Sequence, residues 1–185
     1  MKKVLLLSPP DKSENLIKSL LKKSGFEDVE TAKAVKDAEK KALLRKRYDL
    51  IVINSPLPDG SGEDFALDAV RESICQVVFL SEEERERLFN GGVFVIRKPV
   101  DAGEFQSTLK MAAVSFNRMK MLYAKNTRLM RRMEEIKLIN RAKAILIKTF
   151  GMSEDEAHRY IERQAMDLRK TKIYIAERIL STYEM

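Results

Sequence analysis

The first hundred residues alternate short apolar runs with stretches of helical periodicity. Four runs have an unbroken apolar stretch of four residues, which is typical of strands buried on both faces of a sheet, and a fifth run is weaker. In chain order they are VLLL (4–7), EDVETA (27–32, the weaker one), DLIVIN (49–54), QVVFL (76–80) and VFVI (93–96). This alternation predicts an α/β fold, a five-stranded parallel sheet with helices on both faces. The loops after the strands form the functional edge of such a sheet.

A different pattern begins at Asp101. No proline occurs from there to Phe150, and Gly103 is the only glycine. Asp101 and Glu104 have the spacing of a capping box, and Gly151 is a plausible stop. The segment predicts one helix of roughly 70 Å at about 1.5 Å per residue.

The centre of this helix shows a heptad pattern. One set of positions holds Met119, Asn126, Met133 and Asn140, and the other holds Ser115, Leu122, Leu129 and Ile136. A buried amide at an a position such as Asn126 favours a two-stranded pairing in register. We therefore predict a coiled-coil homodimer through the seam formed by Met119, Leu122, Asn126, Leu129, Met133 and Ile136. The alternative is one amphipathic helix packed on its own domain.

Two more helices follow Gly151. Ser153 and Glu156 have the spacing of a capping box, and Thr171 is placed to cap a last helix. Together with the end of the long helix they predict a small three-helix unit. The predicted organisation is a first domain at 1–104, a coiled-coil linker helix at 105–136 and a three-helix domain at 137–185.

Charge separates the two ends of the chain. Residues 107–185 carry 17 Lys and Arg against 9 Asp and Glu, whereas residues 1–106 carry 18 against 19. A basic module joined to a neutral one suggests a polyanionic partner, although a solvated helix surface is the simpler explanation. A single cysteine, Cys75, excludes a multi-cysteine zinc site, and no apolar run reaches 18 residues. We expect a cytoplasmic protein that does not enter a membrane.

The loop after the third strand carries a motif, YDLIVINSPLPDGSG (48–62), and later strands end in VVFLSE and VIRKP. With these motifs, residues 1–104 resemble the receiver domain of two-component response regulators, which has a flavodoxin-like fold. The resemblance implies that Asn54 stands where an aspartate accepts a phosphoryl group. It places Ser8 and Pro9 where an acidic pair helps to hold Mg²⁺, and Ser81 and Lys98 at the phosphoryl-stabilising positions. It also implies that Pro99, which is often cis in the family, follows the lysine.

The departures from that family change the chemistry. An amide nitrogen is a poor nucleophile, and Mg²⁺ prefers carboxylates, which Asn54, Ser8 and Pro9 do not offer. We therefore expect a pseudo-receiver that neither binds Mg²⁺ tightly nor takes up phosphate. Whether Asp11 or Asp59 replaces the missing phosphoryl acceptor is an open alternative. The spacing from Ser81 to Lys98 is short for the family and predicts a short fourth helix.

The segment INRAKAILIKTFGMSEDEAHRYIERQAMDLRKTKIYIAERIL (139–180) resembles the ANTAR domain of transcription antitermination regulators. The matching positions are Ala142, Lys143, Ile145, Leu146, Gly151, Ser153, Glu154, Glu156, Ala157, Ala165, Met166 and Ala176. The resemblance implies a dimer that binds hairpins in an mRNA leader. Basic and aromatic side chains fit phosphate contact and base stacking. The predicted RNA-binding residues are Arg141, Lys143, Arg159, Tyr160, Arg163 and Lys170.

Other functions remain open at this point. The chain shows no Cys/His or Ser/His pairing, no P-loop and no glycine fingerprint, so we expect no enzyme and no cofactor. The alternatives are a DNA-binding response regulator and a dimeric scaffold controlled by a sensor or another regulatory protein. His158 is most simply a solvent-facing helix residue, since a lone histidine makes no metal site.

Overall fold

The structure, a computed structural model, describes residues 3–45, 48–72 and 75–183, with side chains left out at 42–45. Contacts divide the chain into two compact units, Met1–Met121 and Leu122–Met185. The division falls inside the predicted linker helix.

The first unit is built on five parallel strands. They are β1 (Lys3–Leu7), β2 (Asp28–Ala32), β3 (Leu50–Asn54), β4 (Gln76–Ser81) and β5 (Phe94–Arg97), in the order β2-β1-β3-β4-β5. Each lies within one residue of its predicted position. This confirms the predicted sheet and brings the ends of β1, β3, β4 and β5 to one edge.

Helices cover both faces of the sheet. They are α1 (Lys12–Lys23), α2 (Val35–Arg45), α3 (Glu63–Glu72), α4 (Glu86–Asn90) and α5 (Ala102–Phe150). Alternate residues of β1 separate two cores: Leu5 and Leu7 face the core that includes buried residues of α2, α3 and α4, and Val4 and Leu6 face that of α1 and α5. The predicted short fourth helix is confirmed, since α4 has five residues.

The long helix is also confirmed. α5 begins after Asp101, whose Oδ1 accepts from the Glu104 backbone N–H at 2.8 Å, and ends before Gly151, which has a φ of 68°. Its first turns pack on the sheet through Phe105 and Leu109, and Ala112 one turn later is also buried. The predicted seam from Met119 to Ile136 is different, because every apolar residue in it is about half exposed in the single chain.

The second unit contains the end of α5 together with α6 (Glu154–Asp167) and α7 (Lys172–Tyr183). The capping box of Ser153 and Glu156 is formed, and Thr171 Oγ1 accepts from the Tyr174 N–H at 3.2 Å. The core buries Ala142, Leu146, Ala157, Ile161, Ala165, Ile175, Ala176, Ile179 and Leu180. Alanines on each helix leave room for close packing, so these motif positions serve the core. Across the described ranges, none of the helices combines the length and the apolar character needed to cross a bilayer.

Candidate functional site

The sheet edge holds the residues that the first resemblance singles out. Asn54 ends β3, Ser81 ends β4, Ser8 follows β1 directly, and Lys98 follows β5 directly. The backbone N–H of Lys98 donates to the Ser81 carbonyl at 2.8 Å, which continues the β4–β5 pairing to the edge. The peptide bond from Lys98 to Pro99 is cis, as the resemblance implies.

Asn54 is buried, and its amide nitrogen donates two hydrogen bonds. Only 1% of the residue is exposed, and its Nδ2 donates to Ser8 Oγ at 2.9 Å and to Ser13 Oγ at 2.7 Å. The Ser8 hydroxyl donates onward to the Pro9 carbonyl, and the Ser13 hydroxyl to Asp11. The Asn54 Oδ1 accepts no hydrogen bond within the described residues. The position expected to accept a phosphoryl group is therefore a neutral amide held by two hydroxyls.

Lys98 bonds to the backbone here. Its Nζ donates to the Ser55 carbonyl, and within the described ranges it forms no ion pair with Asp11 or Asp59. Burial lowers the pKa of Lys98, although the charges of Glu82 and Asp11 act in the opposite direction. Asp11 therefore acts on Lys98 only as a through-space attraction.

The two nearby carboxylates are used as helix caps. Asp11 Oδ1 accepts from the backbone N–H of Ser13 at 2.8 Å at the start of α1. Asp59 accepts from the N–H groups of Val35 at 2.8 Å and Lys36 at 3.1 Å at the start of α2. The Ser13 hydroxyl chiefly lowers the pKa of Asp11, and the Val35 N–H chiefly lowers that of Asp59.

The Mg²⁺ implied by the receiver resemblance does not fit these residues. Asn54 and Ser8 supply no carboxylate, and both carboxylates nearby already accept backbone N–H groups. Within the part of the chain that the structure describes, no group of three or more His, Cys, Asp or Glu side chains is arranged to hold a metal.

The Ser81 hydroxyl belongs to a network that the sequence did not reveal. Its buried hydroxyl accepts from the Glu83 N–H at 3.3 Å and from Arg85 Nε at 3.4 Å. Arg85 also pairs with Glu63 on α3 and with Glu83, each at 3.2 Å. Ser13 and Arg85 were missed because the receiver motifs cover strand ends, and both residues come from helices or loops beside them.

The second unit carries a different kind of surface. Arg159 and Arg163 lie one turn apart on α6, on the side opposite the buried Ala157, Ile161 and Ala165. Both arginines are exposed and form no hydrogen bond or ion pair within the described residues. Met166, at 78% exposure, continues their row, and Tyr160 lies beside it at 40%. The face offers two unpaired guanidinium groups next to apolar and aromatic surface.

Lys143 is placed differently from the other predicted RNA contacts. Its Nζ lies 2.9 Å from Glu154 Oε1, with the lysine side chain only 15% exposed, and this bond lowers the pKa of Glu154. The pair ties α5 to α6. Arg141 is exposed, and it takes part in interactions of its own.

The junction of α6 and α7 combines a charge with an aromatic ring. Lys170 Nζ lies 5.6 Å from the centre of the Tyr174 ring, and Tyr174 is 46% exposed. Glu162 joins the same two helices through Lys172 and also lies 3.3 Å from His158. His158 is half exposed, which confirms its predicted place at the surface.

Comparison with known families identifies the second unit. The family model of the ANTAR domain matches residues 127–180. Residues 127–180 form an ANTAR domain. The match begins before the resemblance noted in the sequence and so includes part of the predicted seam.

Two characterised relatives support this assignment. The transcriptional regulatory protein PdtaR of Mycobacterium tuberculosis is 29% identical over 168 residues, which cover 88% of this chain and 82% of PdtaR. The aliphatic amidase regulator of Pseudomonas aeruginosa is 36% identical over 86 residues, which cover 46% of this chain and 44% of that protein. Both relatives are named as regulators.

The first unit has the receiver fold. The non-phosphorylated HemR receiver domain of Leptospira biflexa superimposes with a TM-score of 0.52 and 29% identity, covering 60% of this chain and 94% of that one. The chain therefore consists of a receiver-fold unit followed by an ANTAR domain, the arrangement that the sequence predicted.

Proposed function

We propose that this protein is a cytoplasmic transcription antitermination regulator that binds hairpins in nascent mRNA as a dimer through its ANTAR domain. The observation that carries the proposal is the ANTAR match at residues 127–180, combined with the unpaired basic face on α6. Bound hairpins would keep the transcript from forming a competing terminator.

The chemistry of the α6 face supports RNA as the ligand. Sequence-specific recognition of RNA uses unstacked loop bases, which need stacking surfaces, and phosphates, which need cations. Arg159 and Arg163 supply the cations, while Tyr160 supplies a ring at their side. Lys170 and Tyr174 repeat this combination at the start of α7.

We further propose that the receiver-fold unit is not phosphorylated and that binding does not depend on a kinase. The neutral Asn54, the two carboxylates occupied as caps and the Arg85 network around Ser81 support this part of the proposal. Dimerisation would then rest on the exposed seam of α5, without a phosphoryl switch.

A hairpin selection tests the proposal. The full chain is used to enrich RNA from a library of hairpins with random loops, and the affinity for an enriched hairpin is measured against duplex DNA of equal length. We expect a marked preference for the RNA and an affinity that falls as salt rises. Equal, weak binding to both nucleic acids would contradict the proposal and favour a scaffold.

A further inference from the structure

Three arginines lie on α5 before the three-helix core begins. Arg128, Arg131 and Arg132 occupy two adjacent turns and, with Glu135, line one shallow cleft along the helix. We call these three residues the arginine stripe. All three are exposed, and none forms a hydrogen bond or ion pair within the described residues.

The stripe lies on a definite side of α5. Arg128, Arg132, Glu135, Ile139, Ala142 and Leu146 follow one another at spacings of four, three, four, three and four residues. That spacing keeps a row on one face of a helix. Ala142 and Leu146 are buried against α6 and α7. The stripe is therefore the continuation of the face on which the ANTAR core is built.

Most of the stripe is separate from the predicted dimer seam. At about 100° per residue, Arg128 and Arg131 lie roughly a quarter to a half of a turn around the helix from Leu122, Leu129 and Ile136, whereas Arg132 lies beside the seam, roughly a sixth of a turn away. Pairing of two α5 helices through the seam would leave Arg128 and Arg131 accessible, with Arg132 at the border of the seam.

We propose that the arginine stripe binds the phosphate backbone of the RNA and extends the RNA-binding surface along α5 beyond the three-helix core. This inference rests on the proposed function. Unpaired guanidinium groups suit phosphates, because each can donate two parallel hydrogen bonds to one phosphate. The occupant is an RNA stem, since the stripe offers charge but no aromatic ring for unstacked bases.

The geometry makes the contribution depend on RNA length. Fourteen residues separate Arg128 from Ala142, which is about 20 Å of helix. A hairpin only long enough to cover α6 and α7 would not reach the stripe, whereas a stem longer by about ten base pairs, roughly one helical turn, would.

The test compares the same enriched hairpin with a short stem and with a stem lengthened by about ten base pairs. For the unaltered protein we expect the long hairpin to bind roughly tenfold more tightly. In the triple variant Arg128→Ala, Arg131→Ala, Arg132→Ala this advantage disappears, while the short hairpin binds as before. The slope of log affinity against log salt for the long hairpin should fall by about two to three, at about 0.7–0.9 per phosphate.

Two matched variants control for charge and helix propensity. Replacing Lys12, Lys22 and Lys23 by Ala removes the same charge from exposed positions of the first unit and should leave the length advantage intact. Replacing the three arginines by Lys keeps the charge and should retain most of the advantage. Circular dichroism verifies that each variant keeps its helices.

Three results would overturn the inference. The triple alanine variant could keep the length advantage and the salt slope, the unaltered protein could show no length advantage, or the variant could lose affinity equally for both hairpins. Each would leave the proposed function standing. Failure of the unaltered protein to bind any hairpin would instead overturn the proposed function, and the stripe with it.

Discussion

Around Asn54, at the predicted phosphoryl-acceptor position, the side-chain donors are bonded to neighbouring groups, whereas on the outer face of α6 two arginines are exposed and form no hydrogen bond or ion pair within the described residues. Asn54 donates to two hydroxyls, and Lys98 donates to a carbonyl. Arg159 and Arg163 donate to nothing within the described residues. Polar groups satisfied internally stabilise a fold, while charges left unpaired at a surface are available to a partner. This contrast supports a structural role for the polar groups around Asn54 and a binding role for the α6 face.

Removing the α6 cations should have the largest effect. The double variant Arg159→Ala, Arg163→Ala should bind an enriched RNA hairpin roughly 30-fold less tightly, a loss of about 2 kcal/mol, because two phosphate-binding groups are gone. Filter binding at fixed salt measures the change. The pair Lys22→Ala, Lys23→Ala removes the same charge elsewhere and should change the affinity little; an equal loss in both variants would mean that only net charge matters.

A substitution in the dimer seam should have the second-largest effect. Leu129→Asp would place a carboxylate in an apolar interface and should weaken dimerisation at least tenfold, about 1.4 kcal/mol or more. Sedimentation across a concentration series measures this. Met121→Asp is the control, because Met121 is exposed on the same helix but lies off the seam. A Leu129→Asp protein that dimerises normally would show that the copies meet elsewhere.

Asn54 should matter for stability and leave RNA binding unchanged. Asn54→Ala removes the donor shared by Ser8 and Ser13 and opens a small cavity. We expect the free energy of unfolding of the first unit to fall by about 1–3 kcal/mol. Urea denaturation measures the loss, and hairpin affinity in native buffer should stay the same. A large change in affinity would mean that the pocket still controls the ANTAR domain.

Acid should act weakly, and on the ANTAR unit it should act through three carboxyls. The Lys143 partner lowers the pKa of Glu154, the Ser153 N–H lowers that of Glu156, and Lys172 lowers that of Glu162. A carboxyl whose pKa is lowered by folding stabilises the protein fully at pH values above its pKa in the unfolded chain, near 4.5. This contribution is lost as the pH falls through the lower pKa of the folded state. Melting temperature from pH 7 to 3 should decline below about 4.5. In Glu154→Gln that decline should be smaller, with a lower starting value.

The strands and long helix of this protein were predictable because their signals are local. Parallel strands buried on both faces appear as unbroken apolar runs, and the absence of proline marks α5 from Asp101 onward. The short α4 followed from the spacing of Ser81 and Lys98, which is short for the receiver family. Caps were equally local, as at Ser153 and Thr171, since each acts within three residues.

The partners of the site residues were much less predictable. Motifs placed Asn54, Ser81 and Lys98 at one edge, but their bonds to Ser13, Arg85 and the Ser55 carbonyl depend on how loops and helices pack around it. Lys143 shows the same limit. It matched the ANTAR motif as an RNA contact, yet Glu154, eleven residues later, holds it in a bridge between helices. Side-chain pairs between different helices follow no periodic pattern in the sequence.

The central claim is that RNA binding proceeds without phosphorylation of the receiver-fold unit. The most direct test is the affinity of the unaltered protein for its enriched hairpin, measured with and without a small phosphodonor and Mg²⁺, with intact mass recorded on the same samples. We predict the same affinity in both conditions and no gain of a stable phosphoryl group. Tighter binding only after phosphodonor treatment, together with the gain of one phosphoryl group, would contradict the account.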